Sequence, residues 1–492
     1  MGNPLLLSLS LTLLLLFHGS LASRMSSQQQ QQQQQNKCQI DRLDTLEPSN
    51  RVENEAGVIE TWDPNHEQSQ CSGVAVVRST LQQNGLVLPS YSNTHQVIYV
   101  IQGEGVMGTI IPGCPGTYQS PQQGSQRGQH RGSFQDQHQK LQRFRAGDIL
   151  VVPAGTAYWS YNDGQTPVIA VSFIDLANDA NQLDTNPRKF YLAGNQQDEF
   201  QQQDQQSRER VSSRGKGQQQ QSSCNNIFCG FDPQILSEAF NVDQSLIEKL
   251  QNDDDNRGAM VKVKGELQVI KPPRSSRQTQ TGRQEESEER EREAQMLHGS
   301  RGINGIEETI CSMRLRENVG DPSRADIYSP EVGRLVTLDS NNLPILSWLQ
   351  LSVERGTLLN RALMSPHWNL NSHSIMYALQ GSAYVQVVDN NGNSVFDGEF
   401  SQGQVLTVPQ NFAVVKRATG QKFEWIAMRT NQDAMLASLA GETSVLRSIP
   451  QQVLANAFDI SNEEASRLKC STLHETVLSR GRSSQMSMTA DA

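Results

Sequence analysis

Three glycines have the spacing of a nucleotide-binding loop. Gly103, Gly105 and Gly108 match the pattern G-x-G-x-x-G, which binds the pyrophosphate of a dinucleotide when a helix begins at the glycines. The residues that follow, Thr109 to Pro115, contain two prolines and do not start a helix. The sequence therefore predicts a hairpin between two strands at this point, and no dinucleotide cofactor.

Histidines are the second group with possible chemistry, because imidazole is the commonest metal ligand in proteins. His95 and His373 each stand two residues before one of two similar segments, Val97–Gly103 and Ile375–Gly381. Two interpretations are open at this stage. The pair belongs either to a metal site or to the ordinary half-buried histidines of strands.

The similarity between the two halves extends along the chain. Gly147–Gly155 resembles Gly403–Asn411, and short runs of β-branched residues in both halves are separated by Gly, Pro and Asn. Such runs predict strands that are joined by turns. Their number and spacing favour a mainly β fold with two sandwiches or barrels.

Each half ends in a pattern typical of helices. Ile235–Asp243 resembles Val453–Ser461, with apolar residues at helical spacing in both. Asp243 and Ser461 are candidate caps of a second helix, and Ser461 with Glu464 predicts a capping box. We therefore expect a short α-helical arm after each β module.

The ends of the chain and its insertions differ in composition from the two modules. Leu5–Phe17 is an apolar run, too short to span a membrane and followed by small residues, as in a secretory signal peptide. Polar, Gln-rich stretches lack apolar surface to bury. We predict a signal peptide at 1–23, a disordered Gln-rich segment at 24–36, a first module with its arm at 37–252 containing disordered loops at about 115–142 and 195–223, a module edge and charged linker at 253–304, a second module with its arm at 305–480, and a disordered tail at 481–492.

Charge and cysteine content narrow the possible partners. The formal net charge of −10 argues against nucleic acid, and no later apolar run is long enough to cross a membrane. Seven cysteines in an oxidising compartment predict disulfides and one odd thiol. Cys224 and Cys229 are the only close couple, which is weak evidence for a metal.

The repeated Gly-x5-Pro segment resembles the second motif of the cupins, a superfamily of jelly-roll barrels. Gly147, Pro153 and Gly155 carry the resemblance, but metal-dependent cupins have a His where this chain has Tyr158. Of eight equivalent ligand positions only His367 has a suitable side chain, whereas a catalytic metal needs about three protein ligands. The eight positions are Pro89, Tyr91, Gln96 and Tyr158 in the first copy and His367, Asn369, Ser374 and Val414 in the second.

A second resemblance concerns the junction between the halves. The segment Asn304–Cys311 resembles the processing site of legumin-type (11S) seed storage globulins. In that family an asparaginyl endopeptidase cuts between Asn and Gly and produces two chains. Asn84 and Asn391 also precede glycine, but both suit tight hairpin turns. The resemblance therefore implies cleavage between Asn304 and Gly305.

The same resemblance assigns four of the cysteines. It implies a Cys38–Cys71 disulfide within the first chain and a Cys114–Cys311 disulfide that joins the two chains across the cut. It assigns no partner to three further cysteines, which we expect to be buried free thiols: Cys224, Cys229 and Cys470.

The legumin resemblance covers nearly the whole chain and implies a function without catalytic residues, metal or cofactor. It implies a seed reserve of nitrogen, carbon and sulfur that passes through the endoplasmic reticulum to the protein-storage vacuole. It also implies a trimer formed through the helical arms, a hexamer after cleavage, and kinship with food allergens. Two alternatives stay open: a metal-dependent bicupin enzyme, which the missing ligands oppose, and a protein that binds a small ligand in an empty barrel.

Overall fold

The computed structural model describes residues 40–111, 140–196, 225–251, 255–265, 313–471 and 477–480, with the positions 38, 114, 118–119, 137–138, 199–200, 267, 269 and 311. The predicted signal peptide, the Gln-rich segment 24–36, Cys224, the Asn304-Gly305 junction and the tail 481–492 lie outside the described residues. So do most of the predicted loops and linker.

The first module contains two antiparallel sheets that pack face to face. Its strands are β1 Asn50–Asn54, β2 Gly57–Thr61, β3 Val74–Leu81, β4 Gly85–Ser92, β5 His95–Gln102, β6 Glu104–Ile110, β7 Tyr118–Gln119, β8 Gln137–His138, β9 Lys140–Arg145, β10 Asp148–Val152, β11 Ala157–Tyr161, β12 Val168–Asp175, β13 Lys189–Tyr191, β14 Met260–Lys262 and β15 Arg316–Asn318. One sheet has the order β1-β2-β3-β12-β5-β10-β15; the other is β13-β4-β11-β6-β9, with β14 beside β4. β7 and β8 pair separately, and β9 begins inside the region predicted as a loop at about 115–142.

The second module repeats this architecture. Its strands are β16 Ile327–Ser329, β17 Gly333–Leu338, β18 Ser352–Leu359, β19 Leu363–Asn369, β20 Ser374–Gln380, β21 Ser382–Val388, β22 Ser394–Ser401, β23 Val405–Val408, β24 Ala413–Ala418, β25 Lys422–Arg429, β26 Leu436–Ser438 and β27 Leu478–Ser479. The sheets have the orders β16-β17-β18-β25-β20-β23 and β22-β21-β24-β19-β26, with β27 beside β19. The prediction of a mainly β fold with two jelly-roll modules is confirmed.

The β-branched runs are continuous because alternate residues of one strand enter two different cores. In β5, Val97 and Tyr99 pack into a core shared by both modules, whereas Ile98 and Val100 face the interior of the first barrel. Successive side chains of a strand point to opposite faces, so a strand buried on both faces has no polar alternation. The shared core also contains Ile375 and joins the modules.

The hairpin predicted at Gly103 is not formed. β5 and β6 do not pair with each other; they belong to different sheets, and Gly103 carries the chain from one sheet to the other. Its φ of 87° lies in the left-handed region, and a Cβ there would lie 2.7 Å from the carbonyl oxygen of Pro167. Gly105 and Gly108 lie inside strand β6, so no helix begins at the three glycines.

The helices lie mainly in two arms. The helices are α1 Glu67–Ser72, α2 Pro233–Phe240, α3 Gln244–Leu250, α4 Leu346–Leu349, α5 Val445–Ser448, α6 Gln451–Phe458 and α7 Asn462–Cys470. Ser461 and Glu464 form the predicted capping box of α7. Asp243 stands at the N-cap of α3 but its side chain makes no cap hydrogen bond; Asp232 caps α2 instead. None of the helices that the structure describes is long and apolar enough to span a membrane.

The two modules exchange short segments. The chain before β1 crosses to the second module, where Leu43 is buried in the core and Leu46 bridges to Val405 of β23. In return, β15 leaves the second half of the sequence and pairs with β10 of the first module. Leu315 and Val319, which flank β15, are buried in the shared core. Each module is therefore completed by a segment from the other half of the chain.

Candidate functional site in the two barrel interiors

The register of the strands fixes which residues of the two barrels are equivalent. Tyr99 pairs with Val171 in the first module, and the equivalent Tyr377 pairs with Ile426 in the second. Ala170 of β12 is therefore equivalent to Trp425 of β25. In the same way the pairing of β11 and β24 makes Ser160 equivalent to Lys416. The barrel interiors, where cupins hold metal, can therefore be compared position by position.

In the first barrel, two of the four ligand positions of the cupin motifs bond to each other. Tyr158 donates a hydrogen bond to Oε1 of Gln96, with 3.4 Å between the heavy atoms, and both side chains are buried. Tyr91 stacks on Phe190 with ring centroids 5.0 Å apart. A phenol, an amide and the proline at Pro89 offer no set of donors suited to a catalytic metal.

In the second barrel, His367 is the one potential ligand among the four equivalent positions, and it is 1% exposed. Its Nδ1 lies 2.8 Å from the carbonyl oxygen of Ser365. Burial, with the positive charge of Lys416 nearby, lowers the pKa of His367 to about 3. The ring is therefore neutral at physiological pH, and Asn369, Ser374 and Val414 complete no metal site around it.

Lys416 supplies a cation inside the second barrel. Its Nζ lies 4.9 Å from the centroid of the Trp425 ring and 3.6 Å from the sulfur of Met376. Burial lowers the pKa of Lys416 to about 8, although Glu354 opposes this shift. Glu354 accepts hydrogen bonds from Arg429 and from the Trp425 indole.

The Trp425 indole occupies space that is free only because the neighbouring residue, Gly356, has no side chain. A Cβ on Gly356 would lie 2.0 Å from the indole of Trp425. The first barrel has smaller or apolar residues at the equivalent positions, including Ala170 and Ser160. There the structure has a cavity of about 90 Å³.

The two aligned histidines have the same structural role in both modules. Nδ1 of His95 accepts a hydrogen bond from the backbone N–H of Ala154 at 2.9 Å, and Nδ1 of His373 accepts one from Gln410 at 3.2 Å. Both donors follow the proline of the Gly-x5-Pro segment. Burial lowers the pKa of each histidine to about 4. These contacts agree with the interpretation as ordinary histidines of the fold. His95 is buried within β5, whereas the prediction was half-buried, and His373 is half-buried just before β20.

The structure contains both disulfides that the resemblance implies. Cys38 is bonded to Cys71, and Cys114 to Cys311. Among the described residues, Cys38, Cys71 and His373 are the one group that brings three potential metal ligands together, within 4.8 Å. Because the two sulfurs form a disulfide, they offer no thiolate to a metal.

The expectation of buried free thiols is wrong for two other cysteines. Cys229 is disulfide-bonded, and its partner lies outside the described residues. Cys470 is a free thiol, but it is exposed at the end of α7. The predicted burial of Cys470 failed because the apolar face of a short arm helix points partly to solvent.

The fold and the altered ligand positions define a bicupin in which the metal-binding side chains are replaced by packing residues. The cupin family profile matches residues 43–198 and 317–466. The chain is 58% identical over 477 residues to the 11S globulin seed storage protein Ana o 2.0101 of Anacardium occidentale, covering 97% of this chain and 98% of that protein. It is 53% identical over 508 residues to 11S globulin seed storage protein 1 of Carya illinoinensis, covering 100% of both.

Solved structures agree with these relatives. The crystal structure of procruciferin, an 11S globulin from Brassica napus, matches this chain with a TM-score of 0.75 at 42% identity, covering 91% of this chain and 99% of that one. The chain belongs to the 11S globulin family of seed storage proteins. Its storage role follows from this membership.

Proposed function

We propose that the protein is a nitrogen, carbon and sulfur reserve held in the protein-storage vacuole of the seed and that it catalyses no reaction. The observation that carries the proposal is the loss of suitable ligands at seven of the eight cupin positions, together with the packing of Lys416 against Trp425 inside the second barrel. A cation already stands near the histidine that would bind a metal. Gln-rich insertions add nitrogen without a need to pack.

Cleavage between Asn304 and Gly305 is part of this proposal. The Cys114–Cys311 disulfide and the β10–β15 pairing both connect the parts of the chain on either side of the junction. They support a cut that leaves the two products in one particle. An asparaginyl endopeptidase is the proposed enzyme, because of the legumin-like sequence around Asn304.

The helical arms support self-association, first as a trimer and, after cleavage, as a hexamer. Ile235 and Phe240 of α2 are 62% and 51% exposed, and Val453 and Phe458 of α6 are 53% and 56% exposed. Large apolar side chains at equivalent positions of both arms form surfaces that a monomer leaves in water. A ring in which the first arm of one copy contacts the second arm of the next copy would cover both surfaces.

The Asn304→Ala variant tests the coupling between cleavage and assembly. We expect a single uncut chain that sediments as a trimer after treatment with the endopeptidase, whereas the parent chain becomes a hexamer. Asn391→Ala is the matched control, because it removes an exposed Asn-Gly sequence in a hairpin and leaves the junction intact. A hexamer formed by the uncut variant would contradict the coupling.

Metal analysis of the purified protein separates storage from the rival enzyme. The proposal predicts less than stoichiometric manganese, iron and zinc. About one ion of such a metal per chain, retained after dialysis against a weak chelator, would support a metal-dependent bicupin instead.

A further inference from the structure

We propose that the interior of the first barrel is a binding site for a small neutral organic molecule, an alcohol, aldehyde or ketone of about four to six non-hydrogen atoms. This site is independent of the storage role. It occupies the place where other cupins hold a metal. In the second module, Trp425 and Lys416 occupy the equivalent interior positions.

The size of the cavity sets the size of the ligand. The cavity has a volume of about 90 Å³ between the two sheets. An apolar cavity of about 150 Å³ is large enough for benzene, and one water needs roughly 10–15 Å³ on the same kind of scale. The cavity therefore holds either several waters or one compact organic molecule.

The wall of the cavity combines an apolar body with a few hydroxyl groups. Ile98, Val100 and Leu150 contribute apolar surface from one sheet, and Met107 and Phe144 contribute it from the other. This composition favours a ligand with a hydrocarbon skeleton, because the transfer of apolar surface from water to the cavity lowers the free energy.

Hydrogen-bonding groups of the wall are available to a polar end of the ligand. The hydroxyl groups of Ser79, Ser160 and Ser172 line the cavity, and none of the three makes a hydrogen bond to another described residue. Tyr158 and Gln96 lie beside them and share one long bond of 3.4 Å. A hydroxyl or carbonyl group on the ligand would give these groups a partner.

The charges near the cavity exclude an anionic ligand. Two cations line the cavity, Lys189 and Arg188. Nζ of Lys189 lies 3.2 Å from the carboxylate of Glu199, which also accepts a hydrogen bond from Tyr191. Arg188 is paired with Asp184. A ligand carboxylate would have to displace Glu199 and lose its own hydration, whereas a neutral molecule meets a wall whose charges are already balanced.

The second barrel shows what closes such a site. Trp425 and Lys416 occupy the positions of Ala170 and Ser160, and the Trp425 indole is fully buried against Gly356. The larger side chains of Trp425 and Lys416 therefore fill the space that is a cavity in the first barrel. The same exchange of side chains provides a direct test in the first barrel.

Ligand-observed NMR with isobutanol tests the proposal on the full-length protein. We expect saturation transfer from the parent protein with a Kd of about 1–10 mM, the range open to a ligand of so few atoms. The Ala170→Trp variant should weaken binding at least about tenfold, because the indole fills the cavity. Ile110→Trp, which adds the same indole at an exposed position of β6, should bind as the parent does.

Two further measurements keep the outcome decisive. If Ala170→Trp does not fold, as judged by circular dichroism, Ser172→Leu replaces it as the filling variant. Isobutyrate, which has the same skeleton with a carboxylate, should bind at least about tenfold more weakly than isobutanol. Equal binding of isobutyrate, unchanged binding to a folded filling variant, or no binding of isobutanol at all would each overturn the proposal; the last result would mean that the cavity holds only water.

Discussion

The Arg355 guanidinium of the second module donates a hydrogen bond to the Tyr99 hydroxyl of the first, with 2.9 Å between Nε and the oxygen. The equivalent pair is reversed: Arg78 of the first module donates to the Tyr377 hydroxyl of the second at 3.2 Å. Both pairs flank the shared core. The two halves thus contact each other through the same surface, as in a twofold-symmetric dimer.

The two tyrosine–arginine pairs differ in their surroundings, which gives a stability prediction. Tyr99→Phe should lower the free energy of unfolding by about 1–3 kcal/mol, because the buried Arg355 loses a partner of its charged group. Tyr377→Phe should cost less, since the Arg78 side chain is 29% exposed, whereas that of Arg355 is 9% exposed; each arginine also pairs with a carboxylate. Urea unfolding of both variants measures the difference, and equal losses would contradict this account of the interface.

The exchange of segments predicts that the cut chains stay together without their disulfide. In Cys311→Ser protein that has been cut at Asn304, β15 still pairs with β10, and Leu315 is still buried. Size-exclusion chromatography in native buffer should therefore give one peak that contains both chains. Separation is expected only in concentrated urea. Two separate native peaks would show that the disulfide alone holds the chains.

Lys416 predicts a gain in stability at alkaline pH. Its pKa is lowered from 10.5 to about 8 in the folded protein, so the penalty for burying the charge is present below pH 8 and disappears as the pH rises toward 10.5. The free energy of unfolding should gain about 3 kcal/mol over this interval from this group. Lys416→Met should lack the gain and be at least as stable at pH 7, because Glu354 keeps Arg429 as its partner.

The exposed Lys262 provides the control for this measurement. Lys262→Met should follow the pH dependence of the parent, and only the difference between each variant and the parent is interpreted. If the free energy of unfolding of Lys416→Met also rises between pH 8 and 10.5, groups other than Lys416 cause the rise.

The aligned histidines predict a loss of stability in acid. The pKa values of His95 and His373 are lowered from 6.5 to about 4, so the unfolded chain binds protons first, and stability falls as the pH drops from 6.5 to 4. Replacing either histidine by Gln, which keeps an acceptor in the side chain, should reduce this slope by about 1.4 kcal/mol per pH unit. The double variant should show twice the reduction in thermal or urea unfolding. An unchanged slope would place the acid sensitivity elsewhere.

Much of the local structure could be predicted because it depends on neighbouring residues. The capping box of Ser461 and Glu464 and the positive φ at Gly147 follow from short-range chemistry. The pairing of Asp148 with Asn318 could not, because the residues are 170 positions apart and no local pattern selects a strand partner at that distance.

The contents of the barrels were the part of the site that the sequence concealed. A lysine is ordinarily exposed, so Lys416 gave no sign that it fills the interior, although Val414 two residues earlier places it on the inner face of β24. Ala170 and Trp425 are also equivalent only once the strand register is known. Alignment of the two halves through the glycines found the altered ligand positions but not Lys416 and Trp425, which pack beside them in the second barrel.

An electrophoresis gel of the protein from seed, with and without reductant, tests the central claim of a storage protein cut at Asn304 and held by Cys114–Cys311. We predict one band at the mass of the full mature protein without reductant, and two smaller bands with it, the smaller chain beginning at Gly305. A single full-length band in both lanes would contradict the cut. Two bands already present without reductant would contradict the disulfide link between the chains.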